Sequence, residues 1–259
     1  MAKIIATVNQ KGGVGKTTTV VNLAASLAAM GFKTLLVDAD PQANATAYLG
    51  FDPLGDSGKT LYEALVGGLP VAETILPAGM ANLWTVPSHI NLLGVEVELL
   101  NHESREMAIR TALEKVRDAY DYIIIDSAPS LGLLTINVLT AADSVIVPVQ
   151  PEYFALEGLG TLLNIIKLVQ GSVNPELGIE GFLFTIYDCR IKSHNQVIDE
   201  VRAQFPGKVF KTIISRNPLF AEVPSFRKPV ILYAPDTDAA GDYIKLAAEL
   251  AGAKTMQDA

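Results

Sequence analysis

What this chain lacks narrows its chemistry first. A single one of its 259 residues is cysteine, Cys189, so neither a disulfide nor a cysteine-ligated zinc or iron–sulfur site can be built within one subunit. That scarcity fits a reducing, cytoplasmic setting. The three histidines, His89, His102 and His194, fall at no metal-ligand spacing and read as ordinary surface or core residues. The lone tryptophan, Trp84, lies in a strand pattern and reads as core, not as a platform for stacked bases. Long apolar runs are missing: Tyr122 to Ile125 and Val145 to Val149 are far too short to span a bilayer, and Met1-Ala2-Lys3-Ile4 opens no signal peptide. Positive charge is also scarce. Twenty Lys and Arg face 28 Asp and Glu, a net charge of −8, which at first sight argues against nucleic acid as a partner.

What is present is a folding chain, 49% hydrophobic, long enough to bury a sizeable core and too apolar for disorder. Short β-branched runs alternate with stretches of helical period. The runs 3–8, 34–37, 83–86, 122–125, 144–149 and 180–186 read as strands, nearly continuous in Val, Ile and Leu as strands covered on both faces are. Helices are expected over 16–30, 88–101, 105–120, 133–141, 156–170, 193–204 and 237–251. The alternation predicts an α/β fold, a twisted and mostly parallel sheet with helices on both faces. No repeat or linker divides the chain, so one domain over 1–251 is expected, with 252–259 a short frayed tail. Gly67-Gly68-Leu69-Pro70 and Leu76-Pro77-Ala78-Gly79 read as loops inside it, and Tyr153 and Phe154 as core packing.

The first strand runs into Lys11-Gly12-Gly13-Val14-Gly15-Lys16-Thr17-Thr18, which opens the first helix. The usual G-x-x-x-x-G-K-[ST] pattern is met loosely, because its first glycine falls on Gln10; the variant K-G-G-x-G-K-T-[ST] is met in full. Glycines let successive backbone N–H groups turn toward an anion, and the helix N-terminus adds positive dipole. Lys16 can reach β- and γ-phosphates, and the Thr17 hydroxyl can ligate Mg²⁺. Lys11 has no necessary task on its own nucleotide.

Three carboxylates stand where they can face that loop. The second strand ends Leu36-Val37-Asp38-Ala39-Asp40-Pro41-Gln42, and a later one ends Ile123-Ile124-Ile125-Asp126-Ser127-Ala128-Pro129. The C-terminal ends of parallel strands form the ligand edge of an open α/β sheet. Asp126 closes a Walker-B-like run of four apolar residues and an aspartate, which suits Mg²⁺ or its waters.

Together these segments resemble the ParA/MinD group of deviant Walker A P-loop ATPases, and within it the ParA-type (Soj-like) partition ATPases. The likeness spans nearly the whole chain, adding Ala43-Asn44-Ala45-Thr46, Val147-Pro148-Val149-Gln150, Phe154-Ala155-Leu156-Glu157-Gly158, Arg216-Asn217 and Ala221-Glu222-Val223-Pro224-Ser225. The resemblance implies a single-domain P-loop NTPase that binds ATP with Mg²⁺ and hydrolyses it between two subunits of a homodimer. In that scheme Gly12, Gly13, Val14, Gly15, Lys16, Thr17 and Thr18 cradle the phosphates and Lys11 reaches the partner's nucleotide. Thr17, Asp38 and Asp126 serve the metal, Asp40 positions the attacking water, and Asn217 contacts adenine. It further implies an ATP-bound dimer that binds DNA without sequence preference, is switched by a ParB-type adaptor, segregates DNA, and works in the cytoplasm on the nucleoid and not at a membrane.

The charge distribution bears on this. Residues 181–230 hold eight basic and four acidic side chains, a net +4, while the rest carries 12 basic and 24 acidic, a net −12. Arg190, Lys192, Arg216, Arg227 and Lys228 are the candidate DNA contacts. The chain departs from the family here: it reads Ser215-Arg216-Asn217-Pro218-Leu219 where relatives often carry a second arginine, and Arg227 stands where glycine is common. Two other readings share the loop and aspartates. One is a ParA-like ATPase that positions a non-DNA cargo. The other, a MinD-like membrane-cycling ATPase, should end in a basic amphipathic helix that the stretch Leu246 to Lys254 does not supply.

Overall fold

The computed structural model describes residues 1–55, 58–100, 102–152 and 155–252. Tyr153, Phe154 and the tail 253–259, for which packing and fraying are expected above, lie outside the described residues. Among the described residues, seven strands form one sheet in the order β3-β4-β2-β5-β1-β6-β7. They are β1 (Lys3–Thr7), β2 (Thr34–Ala39), β3 (Leu76–Pro77), β4 (Leu83–Val86), β5 (Tyr122–Ser127), β6 (Ser144–Val149) and β7 (Gly178–Phe184). All pairings are parallel except β3 with β4.

The continuous apolar runs are explained by two cores, one on each face. Ile4, Leu35, Val37, Ile123, Ile125, Val145, Val147, Phe182 and Phe184 point into one. Ile5, Leu36, Ile124, Ile146 and Leu183, the alternate residues, point into the other. Helices α1 (Lys16–Ala29) and α5 (Asp238–Leu250) cover the second core. Helices α2 (Leu133–Ala141), α3 (Ala155–Gln170) and α4 (Lys192–Gln204) cover the first.

Three expectations are corrected. Leu76–Pro77 is a short antiparallel edge strand and not a loop; a proline is tolerated there because its missing N–H faces no neighbour it must serve. The helix expected over 88–101 shrinks to a 3₁₀ turn at Ile90–Gly94 and one α-turn at Val95–Glu98. Ser88 is drawn away instead: its hydroxyl donates to the Asp40 carbonyl at 2.5 Å and its N–H to the Thr46 hydroxyl at 2.8 Å. The helix expected over 105–120 begins as a 3₁₀ turn, is α only at Ala108–Glu114, and ends in another 3₁₀ turn. Its break has a definite cause. The Asn137 amide is inserted between the groups that a regular helix would join, accepting from the Ile109 N–H at 3.2 Å and donating to the Arg105 carbonyl at 2.8 Å. No helix among the described residues is long and apolar enough to cross a membrane.

Candidate nucleotide site

The loop after β1 ends in two left-handed glycines, Gly13 at φ 74° and Gly15 at φ 82°, a conformation that costs other residues dearly. Gly15 is the N-cap of α1, and no side chain caps the helix there or puts an acid in its first turn. Its leading N–H groups are therefore left for an outside acceptor. A lysine in the first turn opposes the helix dipole, so Lys16 also suits α1 best when an anion sits at the helix end. The loop is pinned from behind by the Thr185 hydroxyl, which donates to the Val14 carbonyl at 2.8 Å just past β7.

β2 and β5 each run past the expected end and carry an aspartate inside the strand. Asp38 pairs in register with Asp126, and Asp126 with Thr7 of β1, so all three point to the face that α1 covers. Both aspartates are fully buried. Asp38 is well supported: one oxygen accepts from the Thr46 hydroxyl at 2.7 Å and N–H at 2.8 Å, the other from the Asp40 N–H at 3.1 Å. Burial still raises its pKa to about 6, the bonds from Thr46 and Asp40 opposing. Asp126 is also raised well above the usual carboxylate range, first by burial and then by the negative charge of Asp38. The Thr17 side chain is close enough to favour its ionised form, yet neither carboxylate oxygen meets a donor at hydrogen-bonding geometry. Lys16, also buried, has its pKa lowered by desolvation, against the opposing pull of Asp126 and Asp40.

In front of this row lies a cleft of about 780 Å³, within the usual range for a small-molecule site. Of the residues singled out in the sequence, Gly12, Gly13, Gly15, Lys16, Thr17, Thr18, Asp40, Arg216 and Asn217 line it. Val14, Asp38 and Asp126 stand behind its wall. Lys11 is exposed outside it, its ammonium 2.5 Å from Glu152 of the same chain. The oxygens available suit Mg²⁺: a hydroxyl on the wall and an unpartnered carboxylate beneath it, both hard donors. No three His, Cys, Asp or Glu side chains among the described residues converge to hold an ion.

Residues 2–179 match a protein family described as an AAA domain. The chain is 53% identical over 251 residues to the sporulation initiation inhibitor protein Soj of Bacillus subtilis, covering 97% of this chain and 99% of that one. It is 49% identical to the chromosome partitioning protein ParA of Myxococcus xanthus over 96% of this chain and 88% of that one. The chain belongs to the ParA/Soj family of partition ATPases. A structure described as cobyrinic acid a,c-diamide synthase from Mycobacterium smegmatis, with bound ADP and magnesium, superposes on it with a TM-score of 0.83 at 36% identity, covering 95% and 93% of the two chains.

Several residues that wall the cleft in this ParA/Soj chain lie in no recognisable motif. Thr185 and Ile186 follow β7, Ile214 and Ser215 lead to Arg216, and Phe220 and Tyr243 close the far side, their rings edge to face at 5.6 Å. Tyr243 sits in the middle of α5, where its apolar neighbours make it indistinguishable from core. Ile186 leaves one signal, a β-branched residue held at φ 55°, but only in the fold. The candidate DNA contacts split into two groups. Arg216 is tied by its N–H to the carbonyl of Tyr187 at 2.7 Å, three residues before Arg190, and Lys192 opens α4 two residues after it. Arg227, at φ 54°, and Lys228 are exposed on a separate turn whose backbone lies against Gly50.

Proposed function

We propose that this protein hydrolyses ATP with Mg²⁺ and uses the cycle to switch its hold on DNA, as a partition ATPase of the cytoplasm and nucleoid partnered by a ParB-type adaptor. One observation carries the reading: Lys16 and the uncapped N-terminus of α1 face a cleft of nucleotide size, directly in front of a buried aspartate whose carboxylate oxygens accept no hydrogen bond. The N–H groups of Gly12 to Thr18 and the Lys16 ammonium hold the phosphates, and Asn217 lies against the base. Thr17 and Asp126 would hold the metal and its waters, while Asp38 spends its oxygens on Asp40 and Thr46 and so fixes the segment that carries Asp40. When bound, Mg²⁺ would supply neutralisation of phosphate charge. Asp40 sits in the cleft wall, where it can orient a water in line with the γ-phosphate.

Lys11 has its task in a second copy of the chain, reaching that copy's phosphates much as an arginine finger does. To do so it leaves Glu152, and an exposed ion pair of this kind costs only about 0–1 kcal/mol to break. The DNA-facing groups are Arg190, Lys192, Arg216, Arg227 and Lys228. The test is titration of Mg·ATP into the wild-type protein and into Lys16→Ala, with phosphate release followed in parallel. Binding and turnover in the wild type, both lost in the variant, support the assignment; turnover that survives without Lys16 contradicts it.

A further inference from the structure

We propose that Asp188 is a built-in competitor for DNA phosphate, holding Arg190 in a carboxylate clamp that DNA must displace. The inference rests on the DNA-binding reading above and concerns the regulation of that surface. Asp188 takes the Arg190 guanidinium in a fork, Nε at 2.8 Å and Nη2 at 2.6 Å, the geometry a phosphate would use. The two partners differ sharply in exposure: the Arg190 side chain is 82% exposed and that of Asp188 only 8%. The cation is thus presented to solvent while the carboxylate that neutralises it is part of the structure.

Asp188 cannot readily turn away. Its N–H donates to Nδ1 of the buried His194 at 3.2 Å, and one of its oxygens also accepts the Arg190 N–H at 3.1 Å. The bonds from Arg190, with a further contribution from Arg216, keep its carboxyl well below the usual range, so it is charged at any working pH. Arg216 in turn lines the nucleotide cleft, which puts the carboxylate between a cation at the cleft rim and one on the outer surface. Binding to DNA without sequence preference counts phosphates neutralised, and Arg190 with Asp188 counts as zero until the clamp opens. In a chain of net charge −8 such a restraint has weight, because few cations are left over.

The experiment measures affinity for a short mixed-sequence duplex by fluorescence anisotropy, with Mg²⁺ and a slowly hydrolysed ATP analogue, across a salt series. Four proteins are compared: wild type, Asp188→Asn, Arg190→Gln and the double variant, each checked by thermal melting. Asp188→Asn keeps the shape and removes the charge. It is expected to bind up to about tenfold tighter near 0.1 M salt, with a salt slope steeper by about 0.9, the contribution of one freed cation. In the Arg190→Gln background most of that gain should vanish, which a merely structural role for Asp188 would not produce. If Asp188→Asn does not fold, Asp188→Ser removes the same charge. An equal gain in both backgrounds, or weaker binding in Asp188→Asn, would overturn the clamp while leaving the DNA surface standing. Absence of wild-type binding in every nucleotide state would instead remove the reading on which it rests.

Discussion

Replacing Asp38 with asparagine is expected to reverse its effect on stability as pH rises. Folding lifts the pKa of this buried carboxyl from an ordinary 3.8 to about 6. A raised folded-state value means that the group's contribution is fully present below the unfolded pKa and is lost as pH rises through about 6. The rise is worth roughly 3 kcal/mol above that point, at 1.36 kcal/mol for each pH unit. Asparagine escapes this cost, and its carbonyl can still accept from both Thr46 groups. It cannot serve the Asp40 N–H as well, a loss of about 1–1.5 kcal/mol. The variant should therefore be less stable than wild type near pH 4 and more stable near pH 7.5, by on the order of 1 kcal/mol in each direction. Relief of Asp126, which the Asp38 charge also raises, acts in the same direction. Urea unfolding of both proteins without nucleotide, across that range, measures the difference. A difference that keeps one sign throughout would refute the claim that Asp38 is a buried acid under tension.

Asp40→Ala should bind ATP and form dimers yet release phosphate roughly 10²–10⁴-fold more slowly, measured under single-turnover conditions. Lys11→Ala should bind nucleotide with little loss, because the side chain stands outside its own cleft, but give few ATP-dependent dimers by light scattering. Asn137→Ala strands the Ile109 N–H and the Arg105 carbonyl and should cost about 1–3 kcal/mol in urea unfolding.

Much of the framework is legible in the amino-acid order because the physics is local. A strand covered on both faces must be apolar throughout, and a glycine-rich turn before a helix needs its glycines where φ is positive, so β1, β2, β5, β6 and the loop at Gly13 and Gly15 announce themselves. The ends of β2 and β5 are less visible, since a buried aspartate inside a strand looks like one just past it. The segments 88–101 and 105–120 mislead for another reason. Their helical period is real, but Ser88 is claimed by Asp40 and Thr46, and the Asn137 amide, from a helix 28 residues away, cuts into the ladder at Ile109. The cleft wall formed by Thr185, Ile186, Phe220 and Tyr243 comes from three separate stretches that meet only in the fold. The Asp188–Arg190 clamp is invisible for the opposite reason: the two residues are neighbours, but only the fold shows one buried and the other open.

The central claim is that nucleotide state governs DNA binding in a chain that is acidic overall. Its most direct test is one titration of duplex DNA against the wild-type protein with no nucleotide, ADP, ATP and a slowly hydrolysed analogue, each with Mg²⁺ and at two salt concentrations. Salt-sensitive binding confined to ATP and the analogue is the expected result. Binding that ignores the nucleotide, or none in any state, would contradict the account.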